Sequence, residues 1–356
     1  MKTKRFFISV IAFVFTMGAW AQNEVQYALL QHGDNITSFK GSTALSEAVA
    51  AADDGDVITV SQGIFTGDIY IKKSISIYGA GFEEDAVAGT EKTETTGQIF
   101  IGADDTNTTI SQVHFEGMCI TGNYYTRLYV GNNSPVSNLS ISKCNVSSYI
   151  WVSRDVDQIT IDHSVINSLC GSDKTRTVGN LLIKNTYITN VVIDLSLESS
   201  VLIDHCIQAG NYGPKDNTAQ FRYTNCIFVA SGSSNSSNNQ PYHNSLGSTL
   251  DHCIYNTTNT TGYYYGIVLR TDNTVIKDCI AVQISDIFND ASDGTYSATR
   301  TFELQNPNEW IGTDGTQIGI LGGEGFSRVP STPVVKNLMP TVEGSILKIS
   351  YEAEVR

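Results

Sequence analysis

Between about residue 109 and residue 284 the chain repeats one short pattern: an alternating apolar run, a polar pair, then a small residue. Val201-Leu-Ile-Asp-His-Cys-Ile207 is its clearest copy. Leu139-Ser-Ile-Ser-Lys-Cys144, Ile159-Thr-Ile-Asp-His-Ser164, Leu181-Leu-Ile-Lys-Asn-Thr186, Phe221-Arg-Tyr-Thr-Asn-Cys226, Leu250-Asp-His-Cys253 and Val275-Ile-Lys-Asp-Cys279 follow it, and Val113-His-Phe-Glu-Gly-Met118 is a poorer early copy. The slot after the polar pair holds Met118, Cys144, Ser164, Thr186, Cys206, Cys226, Cys253 and Cys279, in steps of 26, 20, 22, 20, 20, 27 and 26 residues. Self-similarity at that period is the mark of a solenoid. A leucine-rich repeat has a similar period, but no rung contains ten residues at helical spacing, and Asn, Asp, Ser, Thr and Gly fill the gaps. Short strands and tight turns stacked at about 4.8 Å per rung predict an all-β fold, a parallel β-helix.

Before the repeats, Leu45, Ala48, Val49 and Ala52 form an apolar stripe at helical spacing, which predicts a short helix over residues 43–52. Ser42 or Thr43 can cap its start and Gly55 can end it. Residues 57–60 and 68–81 then read as strands, residues 83–97 as a polar loop, and Gln98-Ile-Phe-Ile-Gly102 as a further rung. Polar insertions at residues 231–239 and 256–262 account for the longest steps of the ladder. From residue 301 the repeat stops. In the last segment Leu347, Ile349, Tyr351, Ala353 and Val355 alternate with polar residues, as in a strand with one buried face.

The series from Ala48 to Gly81 carries a more specific likeness. Its Ala-rich helix, Gly55-Asp-Val-Ile-Thr-Val60, Gly63-Ile-Phe65 and Lys73-Ser-Ile-Ser-Ile-Tyr-Gly-Ala-Gly81 resemble the opening of right-handed parallel β-helix proteins of the pectin-lyase-like superfamily. The tail is similar to the ends of exported β-helix proteins from Bacteroidetes-type bacteria. The resemblance implies a right-handed coil over residues 22–300, whose open N-terminal end is capped by the helix. Residues 301–356 are expected to cover the other end, where an exposed rung would invite edge pairing. A shared fold does not by itself assign an activity.

Residues 1–21 read as a secretory signal. Lys2, Lys4 and Arg5 precede an apolar run from Phe6 to Met17, and Ala19-Trp-Ala21 offers a cleavage site. The mature chain is therefore expected to start at Gln22 and to be extracellular, on the cell surface or periplasmic. No later segment approaches the roughly 18 apolar residues of a membrane span. Loss of those three basic residues reduces 22 to 19 against 36 acidic ones, a balance of −17. Nucleic acid and anionic membranes select basic patches and are not expected partners. Seven cysteines in an exported chain invite disulfides, yet four of them occupy equivalent slots on consecutive rungs. Identical rotamers hold such sulfurs a rung apart rather than at about 2.05 Å, which favours buried thiols.

Each rung should have three strands, and the strand before the repeat unit is where superfamily members that act on polysaccharides build their groove. Its copies here are Arg127-Leu-Tyr-Val130, Tyr149-Ile-Trp-Val-Ser153, Val192-Ile-Asp-Leu-Ser196 and Gly266-Ile-Val-Leu-Arg270. With Leu128, Val130, Ile150, Val152, Ile193, Leu195, Ile267 and Leu269 inward, alternation turns Arg127, Tyr129, Tyr149, Trp151, Asp194 and Arg270 outward. Such a row suits stacking against sugar rings, unless a loop or the tail folds over it. Tyr263-Tyr-Tyr265 is a second candidate. A glycosidase needs two carboxyls about 5 to 10 Å apart, and a metal-assisted lyase several acidic oxygens around Ca²⁺ with a base. Asp194 alone is placed on this face; Asp53-Asp54 and Asp104-Asp105 read as solvated turns.

The pairs Asp162-His163, Asp204-His205 and Asp251-His252 look like metal ligands, but they fall on alternate rungs with Asn185 and Asn225 between. Successive histidines would lie roughly 9 to 10 Å apart, too far for one zinc. They read instead as bend residues that visit left-handed backbone angles. No metal or cofactor is expected. The expected function is a secreted or surface-exposed glycan-binding protein or adhesive scaffold without catalysis. The alternative is a polysaccharide lyase or glycoside hydrolase acting on a plant or host polysaccharide.

Overall fold

The computed structural model describes residues 26–84, 91–121, 127–209, 219–229, 248–256, 275–290, 294–331, 334–343 and 346–354. The signal segment, the two polar insertions, Tyr263 to Tyr265 and the strand copy ending at Arg270 lie outside the described residues, apart from Asn256.

The β-branched runs stack as a parallel β-solenoid of about eight turns, in agreement with the expected right-handed parallel β-helix. The first face is a 12-stranded sheet. Its parallel strands run from Val57–Val60 and Ile75–Tyr78, through Ile110–Glu116, Val136–Ser142, Val156–Asp162 and Val178–Lys184, to Val275–Lys277. Period-2 alternation sends one column of it into the coil. Ile58, Ile77, Phe115, Ile141, Ile161, Ile183, Ile203, Tyr223 and Leu250 pair rung to rung, and none is more than 2% exposed. At about 1.5–3 kcal/mol per buried side chain, columns like this supply the main drive to coil. The other two faces form a second sheet that bends. Asn145–Val152, Val165–Gly171 and Tyr187–Ile193 each turn its corner, and the register slips there between Val146 and Tyr149 and between Ile166 and Ser168.

Leaving the first face, the chain turns through a left-handed residue on rung after rung: Gly117, Lys143, His163, Asn185, His205, Asn225, His252 and Asp278, with φ between 43° and 68°. The expected bend is thus present, and His163, His205 and His252 serve it. In most of these turns the corner N–H donates to a carbonyl one rung on, as from Asn225 to Asp251 O at 3.0 Å. The slot that follows is the cysteine ladder, and all seven cysteines are free thiols. Cys206, Cys226 and Cys253 are buried, and each donates to the carbonyl two residues back, at 3.2, 3.1 and 3.4 Å. Ser164 and Thr186 make the same bond at 2.6 and 2.8 Å. Burial pushes the Cys144 thiol up to about 12.

Helix α1 (Ala44–Ala51) buries Ala44, Leu45, Ala48 and Val49 against Tyr27–His32 and Ile69–Ile71. Thr43 makes no capping bond to the helix backbone; its hydroxyl donates to Glu47 Oε1 at 2.6 Å. An antiparallel pair unforeseen in the sequence, Tyr27–His32 and Asn35–Lys40, extends the first sheet beyond Val57–Val60. The polar loop expected over residues 83–97 is only partly one. Thr93–Thr95 forms a strand between Gly63–Phe65 and Cys119–Ile120, with Thr93 and Thr95 fully buried. Threonine is β-branched and can satisfy its own hydroxyl: Thr93 Oγ1 donates to Ser61 O and accepts from Ala80 N.

The tail is the largest departure from expectation. The last solenoid strand among the described residues is Ile280–Val282, and residues 284–290 and 294–331 run back along the flank of the coil as a strap, rather than across its C-terminal end. Phe288, Phe302, Trp310, Ile318 and Ile320 bury the outer side of the second face, including Tyr187, Ile207, Ile227 and Ile254. The strap then docks on the left-handed corners in reverse order. Asn225 accepts from Thr313 N at 2.8 Å, His205 pairs with Thr316 Oγ1 at 3.1 Å, and Asn185 donates to Ile320 O and Gly322 O at 2.9 and 2.7 Å. Lys184 then meets Glu324 at 2.7 Å, and Lys143 donates to Ser331 Oγ at 2.8 Å. Among the described residues, Val334–Glu343 and Ile346–Glu354 pair only with each other.

The strap's far end offers a pH test. Burial opposes ionisation of Glu116, but bonds from His114 and from Ser331, with Lys143 nearby, outweigh it and hold the carboxyl at about 2, against an ordinary 4.5. A pKa lowered by folding stabilises above the unfolded value, and that stability is lost as pH falls through the folded one. The melting temperature of the parent is therefore expected to exceed that of Glu116→Gln at pH 6. The gap should shrink from about pH 4.5 and vanish near pH 2. Parallel melting curves over that range would show that Glu116 does not anchor the strap as a carboxylate.

Candidate functional site

The third face presents the row expected from alternation, and the row is longer. Leu128, Val130, Ile150 and Val152 are fully buried, which leaves Tyr129, Tyr149 and Trp151 half-buried on the outside. Register pairing continues the ring column to the N-terminal side: Tyr70 lies beside Phe100, Phe100 beside Tyr129, and Tyr129 beside Trp151. Tyr70 and Phe100 were missed, although Ile69-Tyr-Ile71 and Ile99-Phe-Ile101 have the same apolar-aromatic-apolar form as Leu128-Tyr-Val130 and Ile150-Trp-Val152.

The first three rings are nearly parallel. Tyr70 and Phe100 are 4.9 Å apart at 9°, and Phe100 and Tyr129 are 5.0 Å apart at 4°. That separation falls in the roughly 4.5–7 Å range of favourable aromatic pairs and matches the strand spacing. Each ring then presents an edge, part of a face and, for tyrosine, a hydroxyl end. Tyr70 is 51% exposed.

A polar column runs alongside. Its N-terminal part is Asp68 and Gln98, where Asp68 Oδ1 accepts from Gln98 N at 2.9 Å; Arg127 then pairs in register with Tyr149, and Tyr149 with Ser168, which is fully buried and ends the column. Asp104 is held by Lys72 at 2.8 Å on the surface.

Asp194 does not join the row. The strand ends at Ile193, and Val192 rather than Ile193 is the inward partner of Leu169, 2% exposed. Asp194 itself turns with φ 56°, and its carbonyl lies over Gly171, where an added Cβ would come within 2.0 Å of it. The left-handed residue breaks the alternation, so Val192 and Leu195 both face inward with two residues between them. Asp194 is half-buried in the corner after the row.

Among the described residues one acidic and histidine group beyond the face has ligand atoms close enough for a metal: Asp251, His252 and Asp278. His252 Nδ1 lies 2.6 Å from Asp251 Oδ1, and Lys277 approaches both carboxylates, at 3.4 and 3.8 Å, so the negative charge there already has a cationic partner. Among the described residues no helix is long and apolar enough to cross a membrane.

No family model matches the chain, and neither does any curated protein or solved structure.

Proposed function

We propose that this chain is an exported, non-catalytic β-solenoid that binds polysaccharide along the outer side of its third face. The observation that carries the reading is the row of Tyr70, Phe100, Tyr129 and Trp151, outward on four consecutive rungs with a polar column beside it. A sugar ring has apolar C–H faces and a rim of hydroxyls, which suit partial aromatic faces flanked by carboxylate, amide and phenol groups. A row of several rungs fits an extended glycan better than a single sugar. The signal-like residues 1–21 support export, and the likeness of residues 48–81 to the pectin-lyase-like superfamily supports a glycan ligand.

The double variant Tyr129→Ala with Trp151→Ala is expected to lose retention on immobilised plant or host polysaccharides while melting close to the parent. Rings that packed under a cover would instead lower stability by roughly 3 to 5 kcal/mol each. Retention unchanged in a well-folded double variant sinks the proposal. Release of reducing ends or unsaturated products that disappears in Asp194→Asn would turn the assignment to a lyase or hydrolase.

A further inference from the structure

The second face carries a feature with different chemistry. Between its outer side and residues 294–296 of the strap lies a cavity of about 500 Å³. Val165, Tyr187, Val229 and Gly294 are its buried floor. One wall is a ladder of small polar side chains from three successive rungs: Asn145 and Ser147, Asn167, then Thr189. Tyr296 stands across from them, its ring 5.2 Å from that of Tyr187 at 54°.

Two properties of this lining select a ligand. First, among the described residues none that lines it is charged. A bound carboxylate or ammonium would lose water and gain no counter-charge, at a cost of several kcal/mol. Second, each polar group on the wall can both donate and accept. Among the described residues the Asn145 carboxamide and the Ser147 hydroxyl have no hydrogen-bond partner. Asn167 donates one N–H to Ser147 O at 3.0 Å, which fixes the amide and leaves its second N–H for a ligand. Thr189 donates to Ile166 O at 3.3 Å and keeps its lone pairs. Alcohol groups match such a wall, since every hydroxyl also donates and accepts.

The rings opposite are locked. Tyr187 donates its hydroxyl to Gly294 O and Tyr296 donates to Glu83, so neither loses freedom when a ligand arrives. Apolar floor, aromatic flank and dual-role wall, in a space within the range that holds small ligands, fit an uncharged pyranose ring. We propose that this cavity binds a neutral sugar, as a free glycoside or a unit of a neutral glycan, at a site separate from the ring row of the third face.

Saturation-transfer NMR on the full chain tests it, with methyl β-D-glucopyranoside, methyl β-D-galactopyranoside and methyl α-D-mannopyranoside as probes and glucuronate and galacturonate as charged comparators. At least one neutral glycoside should give a saturable signal. Its Kd is expected to rise at least about tenfold in Asn145→Leu, the worth of one good hydrogen bond. The signal should vanish in Ser147→Trp, where an indole placed on the exposed rim blocks the mouth without touching the core. Three results would overturn the proposal: no neutral glycoside binds a chain that melts as the parent does, a uronate binds as tightly, or both variants bind as the parent does. Loss of the signal in Tyr129→Ala with Trp151→Ala, instead of in the cavity variants, would move the ligand to the ring row and overturn it as well.

Discussion

A chain ending at Val282 is expected to aggregate, or to melt at least about 10 °C below the parent. Such a truncation removes the strap and uncovers Tyr187, Ile207, Ile227 and Ile254, contiguous apolar side chains that are each at most 1% exposed when the strap is in place. Each is worth about 1.5–3 kcal/mol in burial, and for a chain of 356 residues 1 kcal/mol moves the melting temperature by roughly 1–2 °C. A contiguous apolar patch on a solenoid flank is also a site of association.

Truncation alone would not separate a strap on the flank from a cover on the end. Gly322→Val does. An added Cβ at Gly322 would lie 1.8 Å from Gln317 O and 2.4 Å from the His205 ring, so the strap must lift from the corner at His205, remote from the last rung. The lift would also take Gly322 O away from Asn185. A melting temperature several degrees lower is the expected result. A Gly322→Val protein that melts with the parent would show that the strap is not held on this flank.

Cys226→Asp should cost about 3–5 kcal/mol, whereas Cys226→Ser should be nearly neutral. Cys226 is 1% exposed between Cys206 and Cys253, and its Sγ donates to Thr224 O at 3.1 Å and to Ile203 O at 3.3 Å. A carboxylate in that slot would meet two carbonyl oxygens and no donor stronger than a neighbouring thiol, and a buried charge without a counter-charge is among the most costly substitutions known. Serine keeps the donor. Ser164 and Thr186 show that the same slot accepts a hydroxyl pointed at the same carbonyl position. Denaturant melts of the two variants measure the difference, and Cys226→Asp unfolding with the parent would remove the cysteine ladder from the core. Counting seven free thiols in denaturant is the accompanying check on the ladder's redox state.

The sequence by itself determined the coil. A repeat in which every second residue is β-branched or aromatic leaves only one way to bury its apolar columns, by stacking on its own next copy, so the period, the inward residues and the left-handed corners all followed from local pattern. The outward placement of Tyr129, Tyr149 and Trp151 followed from the same alternation. It failed at Asp194, where a left-handed residue resets the count, a conformation the adjacent Val192-Ile-Asp-Leu-Ser196 does not betray. The strap was decided only by the tertiary structure. Its contacts with the coil's corners join residues 88 to 215 positions apart, from Asn225 with Thr313 to Glu116 with Ser331, and the glycine-rich run that makes them has no period to read. The corner series of Lys, His and Asn reads as a set of bends in the sequence. In the fold Lys143, Asn185, His205 and Asn225 are also the pegs on which the strap hangs, because a left-handed corner turns its side chain outward to wherever another part of the chain has come to lie.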